Sequence, residues 1–167
     1  MNTTMSTIIT VTTIMSMYMN LSTNVENSKF CYNANISDGK VVEMEVYNKS
    51  GEALSANLKH LYTYDDEERL VMRETLKWNK SKMTWEKHDC LSYIYDNEGY
   101  TVERRFWNEA KNEYAQAKER SRYTVVMDNV LAVDNYVLNQ WNGSYEMGEK
   151  MLILTPDTEK LMAIYNN

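Results

Sequence analysis

Between Val41 and Phe106 apolar and polar side chains alternate in short bursts, and each burst ends in a cluster of acidic, Asn, Lys or Gly residues. Alternation with period two marks strands that keep one face dry. Residues 29–36 read as a first strand, Ser37-Asp38-Gly39 as a tight turn and residues 41–47 as the return. In that return Val42, Met44 and Val46 are expected on one face, Glu43 and Glu45 on the other. After the turn at residues 48–51 the alternation resumes through Leu54, Ala56, Leu58, His60, Tyr62 and Tyr64, expected together on a core-facing side. An acidic turn at residues 65–68 follows. Leu70, Met72, Leu76 and Trp78 are then expected inside, with Glu74 interrupting them and Arg69, Arg73 and Lys77 outside. Further strands read at 85–95, 100–106, from about Tyr114, and at 123–127, 130–141 and 145–154, the last hairpin turning at Asn142-Gly143. Thr155-Pro156 reads as the N-cap and first position of a short C-terminal helix reaching Ile164. The expected fold class is all-β: an antiparallel meander of about eight or nine strands in tandem hairpin repeats, as a twisted open sheet or a partly closed barrel.

The bursts repeat. Tyr62-Thr63-Tyr64-Asp65 returns as Tyr93-Ile94-Tyr95-Asp96 and, decayed, as Tyr123 to Asp128, a period of about 30 residues that signals a repeat architecture. Trp78-Asn79, Trp107-Asn108 and Trp141-Asn142 each predict a turn after a Trp-bearing strand, because tandem copies fold alike. This pattern resembles a family of secreted proteins of gut Bacteroidetes, domain of unknown function 3836. The resemblance rests on Tyr62, Tyr64, Asp65, Trp78, Asn79 and Trp85 in one copy and on Tyr93, Tyr95, Asp96, Gly99, Trp107 and Asn108 in the next. The last copy departs, with Val125 where the second Tyr belongs. The resemblance implies a secreted, repeat-containing β protein and no particular activity.

Composition narrows this further. The 167 residues fit one domain, expected over 25–167 behind a leader, and 13 Tyr with 4 Trp against 5 Gly and 1 Pro favour strands. A net charge of −6 and a pI near 5.0 argue against nucleic acid or an anionic membrane as partner. Residues 1–24 carry no Lys, Arg, Asp or Glu and hold the apolar run 8–19, which reads as a signal peptide. The basic start of an export signal is missing, as expected if the true start codon lies elsewhere. A membrane anchor is the alternative. The run is short and rich in Thr and Ser, so the expectation is an exported form without a stable membrane span.

Chemistry is sparse. His88 and Cys90, two apart in a strand, are expected on one face, but no second His-containing constellation supports a Cys-His nucleophile, so Cys90 reads as a small hydrophobe or half of a disulfide. The acidic clusters at 65–68 and 96–98 read as solvated turn charge. No catalytic residue is expected, and a hydrolase is the minor alternative. Two His and two Cys give no ligand spacing for zinc, so no metal or cofactor is expected. Cys31 and Cys90 sit on the first and fifth strands, roughly 19 Å apart in a flat sheet at about 4.8 Å per strand. A disulfide requires Cα atoms within about 7 Å, so pairing goes with a curled sheet and free thiols with an open one. The aromatic residues Trp78, Trp85, Trp107, Trp141, Tyr95 and Tyr100 are the binding candidates, as a face on which sugar rings stack, although cross-strand aromatic pairs also simply stabilise sheets. Arg104, Arg105, Arg120 and Arg122, interleaved with Glu103 and Glu119, read as a salt-bridged solvent face. The expected function is a non-catalytic, exported binding protein for polysaccharide or a protein partner, with a self-associating envelope scaffold as the alternative.

Overall fold

The computed structural model describes residues 8–23, 28–127 and 130–154. They form a helix α1 (Val11–Thr23) and ten strands: β1 (Phe30–Ser37), β2 (Lys40–Ser50), β3 (Ala53–Tyr64), β4 (Leu70–Asn79), β5 (Thr84–Tyr95), β6 (Gly99–Asn108), β7 (Glu113–Tyr114), β8 (Glu119–Met127), β9 (Val130–Leu138) and β10 (Tyr145–Leu154). Each strand pairs with its sequence neighbours in the order β1-β2-β3-β4-β5-β6-β8-β9-β10, and the short β7 pairs β6. Among the described residues β1 meets only β2 and β10 only β9, so the meander is open rather than barrel-like. The expected C-terminal helix lies outside the described residues. The helix that is described is N-terminal, inside the segment read as a leader.

Two compact units divide the chain. The first holds Ile9–Tyr93 and Arg104–Ala117; the second holds Ile94–Glu103 and the chain from Lys118.

In the first unit the strand positions follow the alternation, but β-bulges reassign the faces. An extra residue on one strand moves everything beyond it to the other side of the sheet. Ile36 lies opposite Val41 and Asn35 opposite Glu43, which leaves Val42 as the extra residue. Val41, not Val42, therefore joins Met44 in the core, at 0% and 1% exposure. Val46 faces Leu58 while Tyr47 faces Ala56, so Asn57 is extra, and Leu54 and Ala56 leave the core side. Thr63 opposes Met72 while Tyr64 opposes Leu70, so Val71 is extra. Leu70 stays in the core, whereas Met72, Glu74, Leu76 and Trp78 share the opposite face. Glu74 thus interrupts nothing: it stands on the wetter side with the Trp, and the expected inner side of β4 was inverted beyond Leu70.

The core of this unit gathers Ile14, Val41, Met44, Tyr62 and Leu70. Ile14 comes from α1, whose Val11, Ile14, Met15, Tyr18 and Leu21 are buried or half-buried while Thr12, Thr13, Ser16 and Met17 face outward. That spacing is one stripe of a 3.6-residue helix. Thr10 caps it, its Oγ1 accepting from the Thr13 backbone N–H at 3.4 Å. At the entry to the helix, the Ile9 carbonyl accepts the Leu70 N–H at 2.8 Å and the Val11 N–H donates to the Glu68 carbonyl at 3.0 Å. No described helix is long and apolar enough to cross a membrane.

In the second unit β9 is central, and Leu131, Ala132 and Val133 are buried between β8 and β10. The Tyr123 ring stacks on Tyr100 with centroids 4.8 Å apart and planes 6° from parallel.

Candidate functional site

The acidic turns were candidates for carboxylate chemistry, and both are built as turn caps. Asp65 accepts the backbone N–H groups of Glu67 and Arg69 at 3.0 and 2.9 Å and the Arg69 Nε at 2.7 Å. Asp96 accepts Glu98 and Gly99 N–H at 2.9 and 3.1 Å, and the Arg122 guanidinium at 2.6 Å. That guanidinium, with the Glu98 N–H, lowers the Asp96 pKa to about 2. These carboxylates hold loops shut.

His88 and Cys90 do not meet as expected. His88 is the extra residue of the β4–β5 bulge, because Thr75 opposes Asp89 while Leu76 opposes Lys87. The bulge aims His88 with Asp89, which accepts its Nδ1 at 2.8 Å, and places Cys90 on the other face opposite Glu74. Burial pushes the Cys90 thiol up, away from the reactive thiolate. Cys31 and Cys90 are both free thiols, on β1 and β5 with three strands between them, so the pairing that a curled sheet would permit is not made.

The aromatic candidates divide into three groups. On the first unit's wetter face Trp78 and Trp85 meet edge to face, as do Trp107 and Tyr114, each pair with centroids 5.0 Å apart. All four are half-buried. The Lys59 ammonium lies 5.2 Å from the Trp85 centroid while bonded to Glu43 and Glu45 at 3.1 and 3.0 Å. Lys87 lies 4.7 Å from the Trp107 centroid and 3.3 Å from Glu74, which also accepts the Tyr114 hydroxyl at 2.8 Å. Burial and that bond raise the Tyr114 pKa above its ordinary value. Cation-capped aromatic pairs of this kind cross-brace a sheet. Sequence reading missed Lys59, Lys87 and Glu74, whose shared face appears only once the bulges are placed.

Tyr95 and Tyr100 form the second group. In the second unit Tyr100 is buried in its stack with Tyr123 and tilts against half-buried Tyr95 at 5.7 Å.

Trp141 is the third, and it differs from the rest. It lies in the β9–β10 turn beyond the end of β9 at Leu138, not on a strand as expected, and is 99% exposed. The expected turn at Asn142-Gly143 is made, and two Asn close it: the Asn142 Oδ1 accepts the Ser144 N–H at 2.9 Å, while the Asn139 Oδ1 accepts the Trp141 N–H at 2.9 Å and its Nδ2 donates to Glu146 at 2.6 Å. Gly143 turns at φ 72°, where a side chain would be strained. A cleft of about 490 Å³ lies beside the indole, lined by Val137, Asn139, Gln140, Glu146 and Met147 among others. Val137 and Met147 are themselves at least half exposed.

Each of the four expected arginines has a partner, although the buried Nε atoms of Arg105 and Arg120 bond nothing among the described residues. Arg104 bonds Asp89, Arg105 bonds Ser92, Arg120 pairs with Glu103, and Arg122 with Asp96. Among the described residues no group of three or more His, Cys, Asp or Glu could hold a metal ion.

Such a chain is an all-antiparallel β-meander protein braced by aromatic pairs, with one indole left standing in solvent. It belongs to the DUF3836 family, a family of unknown function, whose model matches residues 1–128. It is similar to the crystal structure of a DUF3836 family protein from Bacteroides vulgatus, at 36% identity and a TM-score of 0.51 over 52% of this chain and 89% of that one. A protein of unknown function from Bacteroides fragilis shares the fold, with 24% identity and a TM-score of 0.65 over 84% of this chain and 97% of that one. No curated protein matches the chain.

Proposed function

We propose that this protein is an exported, non-catalytic binding protein that recognises a glycan through Trp141. The observation that carries the reading is the 99% exposure of that indole beside a cleft of about 490 Å³. The cleft is shallow and open to solvent, so a ligand there would rest on the indole rather than be enclosed. An indole face stacks on the C–H face of a pyranose, and the Gln140 amide with the second oxygen of the Glu146 carboxylate, whose Oε1 is held by Asn139, are the groups that bond sugar hydroxyls. Trp78, Trp85, Trp107, Tyr95 and Tyr100 serve as bracing in this reading, since each already packs against another ring. The repeated parts support a tandem-hairpin origin: Asn79 and Asn108 cap equivalent turns, and Met83 and Asn112 share positive φ values of 52° and 53° one repeat apart. Export rests on the uncharged apolar segment within residues 1–24 and places the protein outside the cell or in its envelope.

The test is tryptophan fluorescence with acrylamide quenching across a glycan panel. One red-shifted, quenchable emitter is expected, a matching glycan should protect it, and Trp141→Ala should remove both effects. A glycan response that survives Trp141→Ala, or a panel with no response, would overturn the reading.

A second reading, a self-associating envelope scaffold or protein-interaction module, is favoured by the β10 edge. Met151, Leu152, Ile153 and Leu154 are all exposed there on a strand whose outer edge pairs with no other described strand, the kind of edge that recruits another strand. Concentration-dependent sedimentation that Leu152→Lys abolishes would support it.

A further inference from the structure

We infer that the sheet face beneath α1 is a docking groove for an uncharged amphipathic helix of a partner protein, with α1 its occupant in cis. The inference rests on the exported reading: α1 lies wholly within the segment removed on export, so removal would vacate its seat.

The helix is held by what it sits on. It opens with Val11, Thr12, Thr13 and Ile14, all β-branched and poor helix formers, and it has neither an acidic first turn nor a basic last turn. Thirteen residues are too few for such a sequence to stay helical alone in water. Its partners are Val41, Met44, Tyr62 and Leu70, all nearly inaccessible in its presence, with Tyr64 and Tyr93 packed alongside. Without α1 these side chains would form one continuous apolar patch, which soluble monomers rarely leave bare.

The geometry also states what fits. The stripe Val11, Ile14, Met15, Tyr18 and Leu21 is the i, i+3, i+4, i+7 pattern by which a helix lies in a groove. An extended residue ahead of the helix must also pair with the start of β4, as Ile9 and Val11 do with Leu70 and Glu68. A charge on the buried stripe would be left unpaired among Val, Met, Leu and Tyr, so the occupant's inner face is uncharged.

The experiment uses the full chain and a fluorescein-labelled peptide of residues 8–23, read by anisotropy. Ile14→Asp should eject α1 and allow saturable binding of the peptide, at least tenfold tighter than the wild-type chain, whose groove is filled. A peptide carrying the same Ile14→Asp change should not bind. In a second variant a protease site replaces residues 24–27 and is cut after folding; the nicked chain should exchange α1 for labelled peptide. If Ile14→Asp loses its β circular dichroism and the nicked chain never exchanges, α1 is a permanent part of the core and the inference fails. It fails equally if the vacated groove takes a fluorescent fatty acid but no peptide, which would make it a lipid site. Glycan titration at Trp141 in the same chains reports separately on the proposed function.

Discussion

Trp78 lies directly across the β4–β5 ladder from Trp85, with ring centroids 5.0 Å apart and planes at 65°, at the end of the strands beside their connecting turn. Edge-to-face pairs of this sort contribute about 0.5–1.5 kcal/mol beyond the area they bury. A double-mutant cycle with Trp78→Ala and Trp85→Ala, measured by urea unfolding, should therefore return a coupling of about 1 kcal/mol. Both variants should keep the glycan response assigned to Trp141. Additive losses would show that the two rings stabilise the sheet independently.

Asp89 is a deeply placed carboxylate of the first unit, its side chain 3% exposed between a half-exposed Arg104 and a half-exposed His88. Burial alone would raise its pKa, but the bonds from His88 and Arg104 outweigh that and hold the carboxyl below its usual value. Removing one partner of a buried charge leaves desolvation uncompensated. Arg104→Ala should thus destabilise by about 2 kcal/mol, and Asp89→Asn in the Arg104→Ala background should restore part of the loss. Equal midpoints for wild type and Arg104→Ala in urea would contradict this account.

Period-two alternation located most strands because it depends on neighbouring residues alone. Which face was dry depends on the bulges, and Val42, Asn57, Val71 and His88 carry no mark of being extra residues: each is a side chain that any strand accommodates. One such residue between Leu70 and Met72 was enough to move Trp78 from the expected core to the wetter face. A separate bulge, at His88 itself on β5, parted His88 from Cys90. Trp141 was placed on a strand by analogy with Trp78 and Trp107, yet β9 ends at Leu138 and the turn, capped by Asn139 as well as Asn142, takes in Trp141. The apolar run of residues 8–19 was legible, but its seat lies mainly on β1 and β2, with Tyr62 of β3 and Leu70 of β4 closing the cluster, and no local pattern announces a surface built from separate strands.

Gly99 opens β6 directly against β8. A Cβ there would overlap the Tyr123 carbonyl oxygen and come within 3.0 Å of its carbon and 3.2 Å of the Thr124 Cα, all backbone atoms that cannot swing aside. The constraint is close backbone approach, unlike Gly39, whose φ of 74° is the issue while its surroundings are open. Gly99→Ala should cost well over 2 kcal/mol and disturb the Tyr100–Tyr123 stack, visible as a change in near-ultraviolet circular dichroism. Gly39→Ala should cost about 1 kcal/mol and leave that spectrum alone. Similar costs at the two positions would mean that β6 and β8 approach less closely.

His60 gives the fold a pH dependence whose sign can be worked out. Its Nδ1 lies 3.2 Å from the Thr75 Oγ1. Burial first, and then the positive charge of Arg73, lower its pKa from 6.5 to about 4, against an opposing pull from Asp89. Between those values the unfolded chain binds a proton that the folded chain refuses. Stability is therefore complete above pH 6.5 and falls as the pH drops toward 4, by roughly 2 kcal/mol once partial exposure is allowed for. Asp96 acts lower down: its contribution is present above its ordinary 3.8 and is lost as the pH falls through about 2. Urea midpoints from pH 7 to 4.5 should slope downward for the wild-type chain and flatten in His60→Gln. Parallel slopes would mean that His60 is protonated in the folded chain as readily as in the unfolded one.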